Sequence, residues 1–165
     1  MPPPLRAAAR LGVSYRPMTD ADLPFVAELY AWTRREEVAQ TGWPAEIQQA
    51  FLRQQHEAQH SHYSIHHADA EWLIVERAGE AIGRLYLRDD PEVFHIVDIS
   101  LMPDSRGRGI GGAIMQDVLD QAGDAGKAVS IHVEKNNPAR ALYTRLGFEV
   151  VKDAGVYDLM RAGPS

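Results

Sequence analysis

Glycine residues cluster in one short segment that has the chemistry to bind an anion. The segment consists of Arg106, Gly107, Arg108, Gly109, Ile110, Gly111 and Gly112. It lies between a stretch patterned like a strand and a stretch patterned like a helix, so backbone N–H groups and the helix dipole can both point at a bound anion. Arg106 and Arg108 add cationic side chains that a mere packing turn does not need. The segment therefore predicts a phosphate-binding loop.

A dinucleotide is one phosphate ligand that such a loop could bind. Gly107, Gly109 and Gly112 match the G-x-G-x-x-G pattern of dinucleotide-binding proteins, and Glu134 ends the strand that follows. That fold requires several further parallel strands, yet only 53 residues (113–165) remain after Gly112. An NAD(P)-binding enzyme is therefore kept as a remote alternative.

Five histidines between residues 56 and 67 raise the question of metal binding. His56 and His60 are four residues apart, which on a helix places both rings on one face. Residues 56–60, His-Glu-Ala-Gln-His, match the H-E-x-x-H pattern in form, but no third ligand stands at a fitting spacing. We therefore predict no metal site.

Composition restricts the class of protein. The 165 residues include 17 Lys and Arg against 23 Asp and Glu, a net charge of −6, and no cysteine. Disulfides, thiolate metal sites and a cysteine nucleophile are excluded. The acidic balance argues against a nucleic-acid partner or a polybasic membrane anchor, and no apolar run approaches the ~20 residues that span a bilayer. These features predict a cytoplasmic protein. Residues 1–12 are proline-rich and are expected to form a disordered leader before a single domain at 13–165.

Hydrophobic periodicity predicts the elements that position the loop. Strand-like alternation or apolar runs occur at residues 13–17, 72–76, 82–87, 93–102, 128–133, 148–151 and 156–160. Helical patterns occur at residues 19–35, 44–62, 112–126 and 138–146. The order β-α-α-β-β-β-α-β-α-β-β predicts an α/β fold of the α+β kind, a mixed sheet flanked by helices.

Three segments of the chain carry a resemblance to a known family. The stretch Arg106-Gly107-Arg108-Gly109-Ile110-Gly111 resembles the R/Q-x-x-G-x-G/A signature of the GNAT superfamily of N-acetyltransferases. Residues 98–103 are similar to the end of that family's fourth strand, and residues 136–148 to its Asn…Ala…Leu-Tyr-x-x-x-Gly-Phe segment. The resemblance implies a GNAT-like acyl-CoA N-acyltransferase fold.

The resemblance also implies how acetyl-CoA, the cosubstrate, binds. The pantetheine arm is expected where the fourth and fifth strands splay apart, paired with backbone groups of Ile99 and Leu101. The pyrophosphate is expected on the N–H groups of residues 106–112. The family's pantetheine-contacting asparagine corresponds to Asn136 or Asn137.

Two residues are candidates for proton transfer. Tyr143 matches the family's tyrosine that protonates the departing CoA thiolate, and a phenol is chemically able to do so. His95 stands where several relatives carry the base that activates the amine, although a half-buried structural histidine is an equal alternative. Asp98 and Glu134 are weaker candidates. Strict alternation places His95, Ile99 and Leu101 on one face of the strand and Asp98 on the other, unless a bulge intervenes.

The expected function is acetyl-CoA-dependent transfer of an acetyl group to a primary amine within a ternary complex. The acceptor is a small amine or a peptide amine, and the resemblance places the histidine-rich stretch, with Trp32, Trp43 and Tyr63, near its pocket. A non-catalytic acyl-CoA-binding module is the alternative from another class. Strand edges near the C-terminus leave both a monomer and a homodimer open.

Overall fold

The computed structural model describes residues 2–164 and contains a seven-stranded sheet between two layers of helices. The strands are β1 (Val13–Pro17), β2 (Glu71–Arg77), β3 (Glu80–Asp89), β4 (Val93–Leu101), β5 (Ala128–Glu134), β6 (Glu149–Ala154) and β7 (Tyr157–Ala162). The helices are α1 (Leu23–Ala39), α2 (Ala45–His66), α3 (Ile110–Asp124) and α4 (Arg140–Arg145). The sheet order is β1-β2-β3-β4-β5-β7-β6. The predicted element order and mixed sheet are confirmed.

The two faces of the sheet carry different helices. On one face, Ile114 and Val118 of α3 join a continuous apolar core with Phe94 and Ile96 of β4 and Ile131 of β5. On the other face, α1 and α2 cover the sheet. Val26 and Leu29 of α1 are fully buried, and two polar contacts join the helices to the strands: Tyr63 of α2 bonds to Asp98, and Arg34 of α1 pairs with Glu134. None of the helices within residues 2–164 combines the length and the hydrophobicity that a membrane span requires.

The N-terminal segment is folded where the sequence predicts disorder. The buried carboxylate of Asp117 in α3 accepts hydrogen bonds from the backbone N–H groups of Arg6, Ala7 and Ala8, at 3.3, 2.8 and 3.0 Å. Ala8 is fully buried, and a short 3₁₀ turn, Ala9–Leu11, leads into β1. A buried carboxylate needs such donors, so it orders a segment whose own composition does not favour order. The predicted leader at 1–12 is therefore wrong for residues 6–12, whereas Met1 and Ser165 lie outside the described residues.

A β-bulge in β4 changes which side chains share a face. Asp98 pairs with Tyr86 of β3 while Ile96 pairs with Leu87, so Val97 is an extra residue in β4. Ile96 and Ile99 consequently both contact the core beneath α3. The expectation that His95 and Ile99 share a face opposite Asp98 is wrong, because the extra residue shifts the alternation by one position. His95 and Asp98 instead lie together on the face covered by α2.

Close approach of β3 and β4 requires a glycine at residue 83. A Cβ added there would lie 2.8 Å from Cδ2 of Leu101 and still closer to the carbonyl oxygen of Ser100. Backbone atoms of β4 have no freedom to move away, because the strand is paired on this side along Gly83–Asp89 of β3. Gly83 is therefore expected to be intolerant of any side chain.

We expect Gly83→Ala to lower the free energy of unfolding by about 2 kcal/mol or more, through overpacking. The matched control is Gly123→Ala, since a Cβ at this helical position meets nothing within 4 Å. The control should leave stability unchanged or raise it by up to about 1 kcal/mol. Denaturant unfolding of both variants checks this, and equal effects would contradict the assignment of a close strand contact.

Helix α2 buries one of its histidines. His56 is buried, with 6% of its surface exposed, and its ring lies 5.8 Å from that of Tyr30. Its Nε2 atom has no hydrogen-bond partner in the part of the chain that the structure describes. Burial, with Arg84 and His60 nearby, lowers the pKa of His56 from 6.5 to about 4. The folded protein therefore holds this ring neutral over a pH range in which the unfolded chain protonates it.

Acidification from pH 6.5 to about 4 should consequently destabilise the fold, because His56 binds a proton in the unfolded chain but not in the folded protein over this pH range. We expect His56→Leu to reduce this pH-dependent loss by about 2 kcal/mol at pH 4. The exposed His66 provides the control variant His66→Leu, which should retain the wild-type pH dependence. Free energies of unfolding measured at several pH values test this prediction. Parallel curves of unfolding free energy against pH for wild type and His56→Leu would refute it.

Candidate active site

The strands β4 and β5 part within the sheet and leave a gap. Their parallel register runs from Val93 opposite Ala128 to Ile96 opposite Ile131. Beyond those pairs, β4 continues alongside β3 to Leu101, and β5 continues alongside β7 to Glu134. We call this gap the wedge; it is bounded by residues 97–101 of β4 and 132–134 of β5. One strand edge on each side is thus left without its neighbour.

The glycine loop lies at the mouth of the wedge, between β4 and α3. Gly107 and Gly109 have φ angles of +71° and +79°, and a Cβ at either position would enter open space. Within residues 2–164, no backbone carbonyl accepts the N–H groups of residues 107–112. The N–H of Arg106 differs, since it donates to the carbonyl of Pro103 at 3.2 Å. Positive φ values and free amides at the start of a fifteen-residue helix form a cradle that fits a diphosphate.

Arg106 is held against the wedge by a backbone contact. Its Nε donates to the carbonyl oxygen of Leu101 at 2.9 Å. The guanidinium thus lies between the end of β4 and the loop, where a negatively charged ligand would approach. Ile99 and Leu101 keep their side chains against the core, so their backbone groups form the β4 flank of the wedge.

The opposite flank carries the predicted asparagines and tyrosine. The side chain of Asn137 accepts a hydrogen bond from the N–H of Ala139 at 2.9 Å and so caps the approach to α4, whereas the exposed side chain of Asn136 makes no hydrogen bond among the described residues. Tyr143 is 6% exposed and packs on Phe148, with ring centroids 5.9 Å apart. Burial and the negative charge of Asp98 raise the pKa of Tyr143 to about 12. Its hydroxyl therefore remains protonated at all working pH values.

A buried ion pair joins β3, β4 and α2 beside the wedge. Arg84 Nη2 donates to Asp98 Oδ2 at 2.8 Å, and the arginine side chain is only 3% exposed. The same nitrogen donates to Gln59, while Tyr63 and Ser100 donate to the Asp98 carboxylate at 3.1 and 2.7 Å. Because its oxygens already accept three hydrogen bonds, Asp98 holds elements in place and is a poor candidate for a proton acceptor.

A cavity of about 430 Å³ opens on the same face of the sheet, next to the vertex of the wedge. We call it the histidine cavity; its walls are His62, His67, Arg88, Asp90, Val93, His95, Ser130, His132 and Leu159. His95 Nδ1 lies 2.8 Å from Ser130 Oγ, and the His95 and His132 rings are 5.2 Å apart. Burial, then the neighbouring His132 and Arg88, lower the pKa of His95 to about 4. The ring is therefore neutral at physiological pH.

The structure brings most of the predicted site residues together. The loop, Ile99 and Leu101, the two asparagines and Tyr143 surround the wedge, and His95 lies at its vertex. Sequence reasoning missed Arg84, Arg88, Ser130 and His132, which enter the site across neighbouring strands. The only signal for them is the strand register, in which Arg88 lies opposite His95 and His95 opposite Ser130. Across residues 2–164, no three His, Asp or Glu side chains are grouped to hold a metal ion.

Comparisons with known proteins agree with this geometry. The sequence model of the Acetyltransferase (GNAT) family matches residues 26–148. The L-2,4-diaminobutyric acid acetyltransferase of Nocardia farcinica is 31% identical over 112 residues, covering 56% of this chain and 58% of that protein. The UPF0157 protein YqkA of Bacillus subtilis is 35% identical over 71 residues, covering 43% of this chain and 21% of that protein. The chain thus spans less than two thirds of either curated relative.

A solved structure shares the fold. The PaiA N-acetyltransferase of Thermoplasma acidophilum, crystallised in complex with coenzyme A, superposes with a TM-score of 0.68 at 17% identity, covering 92% of this chain and 99% of that one. The mixed sheet of this fold also removes the basis for a dinucleotide-binding enzyme, because a single parallel strand pair cannot form the βαβαβ unit. With its family match extending from α1 through the wedge to Phe148, the chain belongs to the GNAT family of acetyltransferases.

Proposed function

We propose that the protein is an acetyl-CoA-dependent N-acetyltransferase that moves the acetyl group directly to a primary amine in a ternary complex. The observation that carries this proposal is the wedge, which has an anion cradle at its mouth and a polar cavity at its vertex. Two ligands can therefore meet from two sides of the sheet. The absence of cysteine from the chain supports direct transfer, since no thiol is present to carry an acyl group.

The residues of the wedge suit acetyl-CoA. The free N–H groups of residues 107–112, with Arg106 and Arg108, would hold the pyrophosphate. Backbone groups of Ile99 and Leu101 would pair with the pantetheine arm as an additional strand, and Asn136 or Asn137 would donate from the opposite flank. When bound, acetyl-CoA supplies a thioester carbonyl carbon that forms a C–N bond with the amine while its C–S bond breaks.

Tyr143 would supply the hydrogen bond, and finally the proton, that the departing sulfur requires. Its raised pKa keeps the O–H intact but makes it a weaker acid than an exposed tyrosine. The same buried environment also raises the pKa of a thiol, since desolvation disfavours the thiolate. The two pKa values therefore move in the same direction, and transfer from the phenol to the sulfur stays feasible. Solvent then reprotonates the phenolate, which balances the proton that the amine releases.

His95 would orient the amine from the vertex of the wedge. With its proton on Nδ1, donated to Ser130, the ring presents a free Nε2 lone pair to an amine N–H. A pKa near 4 makes this nitrogen a weak base, so it accepts a hydrogen bond and passes the surplus proton to water in the cavity. The acceptor amine then has to arrive in its neutral form, as a nucleophile.

A panel of primary amines tests the proposed function through release of CoA from acetyl-CoA. The name of the Nocardia farcinica relative refers to a small diamino acid, which supports including diamino acids beside simple amines and peptide N-termini. Saturable CoA release with at least one amine, and identification of the N-acetyl product by mass spectrometry, would support the proposal. Tight acetyl-CoA binding without turnover of any amine would favour a non-catalytic acyl-CoA-binding module instead.

Replacement of the two candidate proton-handling residues should have unequal effects. We expect Tyr143→Phe to lower kcat by about 10²-fold or more with unchanged acetyl-CoA affinity, because only the hydroxyl is lost. His95→Gln keeps a hydrogen-bond acceptor and should cost less than about tenfold. Steady-state kinetics with the best amine of the panel measure both, and wild-type turnover by Tyr143→Phe would exclude the hydroxyl from the reaction.

Blocking the loop should remove acetyl-CoA binding. Gly109→Leu places a side chain in the cradle and forces it into the left-handed region, and we expect at least about tenfold weaker binding. The matched control is Gly126→Leu, at the other end of α3. The φ of +68° at Gly126 imposes the same strain on a side chain, and a Cβ there also meets open space. Both variants should lose about 1–2 kcal/mol of stability, but only Gly109→Leu should lose affinity in calorimetric titration with CoA. Equal affinities would show that the pyrophosphate binds elsewhere.

A further inference from the structure

The histidine cavity contains a charged pair, Arg88 and Asp90, in which Arg88 keeps hydrogen-bond donors that the described part of the protein does not use. Arg88 Nε donates to both carboxylate oxygens of Asp90, at 2.8 and 3.0 Å, and Arg88 Nη1 lies 2.7 Å from His67 Nδ1. The remaining nitrogen, Nη2, has no hydrogen-bond partner among residues 2–164. The arginine side chain is 27% exposed and lines the cavity. One edge of a permanently charged guanidinium is therefore free to bind a ligand.

Arg88 lies one strand away from the vertex of the wedge, where the acetyl group would be transferred. Arg88 of β3 lies opposite His95 of β4, and His95 lies opposite Ser130 of β5, so the three residues form a row across the sheet. Adjacent strands are about 4.8 Å apart, which places the Arg88 backbone about 7 Å from the line along which β4 and β5 separate. A molecule with its amine at the vertex of the wedge would thus reach Arg88 through a spacer of a few carbon atoms.

The proton arrangement around Arg88 favours a carboxylate. Because arginine is always a donor, His67 Nδ1 has to accept, and the neutral ring then carries its proton on Nε2. The far end of the cavity consequently offers two kinds of N–H donor, on Arg88 and on His67. Asp90 is the matching acceptor on the same wall, and it is already neutralised by Arg88. A zwitterion has both complementary charges, whereas a simple diamine offers only cations to this pair.

We propose that the acceptor is a small amino acid whose carboxylate binds the free edge of Arg88, while its reacting amine lies at the vertex of the wedge beside His95. This inference rests on the proposed N-acetyltransferase function and specifies its substrate class. A cavity of about 430 Å³ is of the size that takes a small molecule. Arg88 is then a specificity-determining residue that touches the substrate remote from the reacting atoms.

Matched acceptors that differ only in the carboxylate test this proposal. The pairs are L-2,4-diaminobutyrate with 1,3-diaminopropane, and L-ornithine with 1,4-diaminobutane, assayed for CoA release. We expect the wild-type kcat/KM to favour the amino acid of at least one pair by about tenfold or more, mainly through KM. Arg88→Gln should abolish that preference by raising KM for the amino acid, and Arg88→Lys should restore part of it.

Two controls separate recognition from damage to the fold. Arg53→Gln alters an exposed arginine of α2 outside the cavity and should keep the wild-type preference. The ratio of kcat/KM values within one variant does not depend on the fraction of folded enzyme, so partial unfolding of Arg88→Gln cannot imitate the effect. Calorimetric binding of acetyl-CoA should be unchanged in Arg88→Gln.

The outcomes distinguish failure of this inference from failure of the proposed function. Equal use of both members of each pair, a preference that survives Arg88→Gln, or turnover confined to amines without a carboxylate overturns the amino-acid assignment while the acetyltransferase function stands. Absence of turnover with every amine, together with absence of acetyl-CoA binding, overturns both. A carboxylate preference that disappears in Arg88→Gln and persists in Arg53→Gln supports the proposal.

Discussion

Pairing of β4 with β5 stops after Ile96 and Ile131, and the site exists because it stops there. A parallel sheet that continued would satisfy the backbone groups of both strands and leave no opening. The bulge at Val97 lies at the same level, where it bends β4 and increases its local twist. Gly83 lets β3 follow the outer side of β4 at close range. Separation on one side of β4 therefore coincides with tight pairing on its other side.

The two flanks of the wedge are braced by different helices on the same face. Arg84 and Asp98 connect β3 and β4 to α2 through Gln59 and Tyr63. On the β5 flank, Glu134 pairs with Arg34 of α1 at 2.9 Å. The Arg84–Asp98 pair is buried, and it holds its geometry because loss of either partner would leave an uncompensated buried charge. Each flank thus has its own support, and the gap does not depend on a contact that spans it.

Local patterns in the sequence predicted the parts of the site that a single segment builds. The loop at residues 106–112 was recognisable because its glycines, its arginines and the following helix are contiguous, and the order of strands and helices followed from periodicity. The bulge at Val97 has no comparable signal, since an apolar β-branched residue fits a regular strand equally well. Without the bulge, His95 and Asp98 fall on opposite faces. Arg88 and Ser130 could not be assigned to the site because their proximity to His95 depends on cross-strand register.

Charge pairing on the face of the sheet that α1 and α2 cover changes how the acidic composition is interpreted. The net charge of −6 suggests a general attraction for cationic ligands. On the face beside the wedge, however, three carboxylates are each matched by an arginine, in the pairs Arg34–Glu134, Arg84–Asp98 and Arg88–Asp90. The first two join separate elements, whereas Arg88 and Asp90 are two residues apart and both line the cavity. Of the three arginines, only Arg88 lines the histidine cavity, and its Nη2 has no hydrogen-bond partner among residues 2–164. Selectivity for a ligand on this face would therefore depend on how the Arg88–Asp90 pair shares its hydrogen bonds with that ligand.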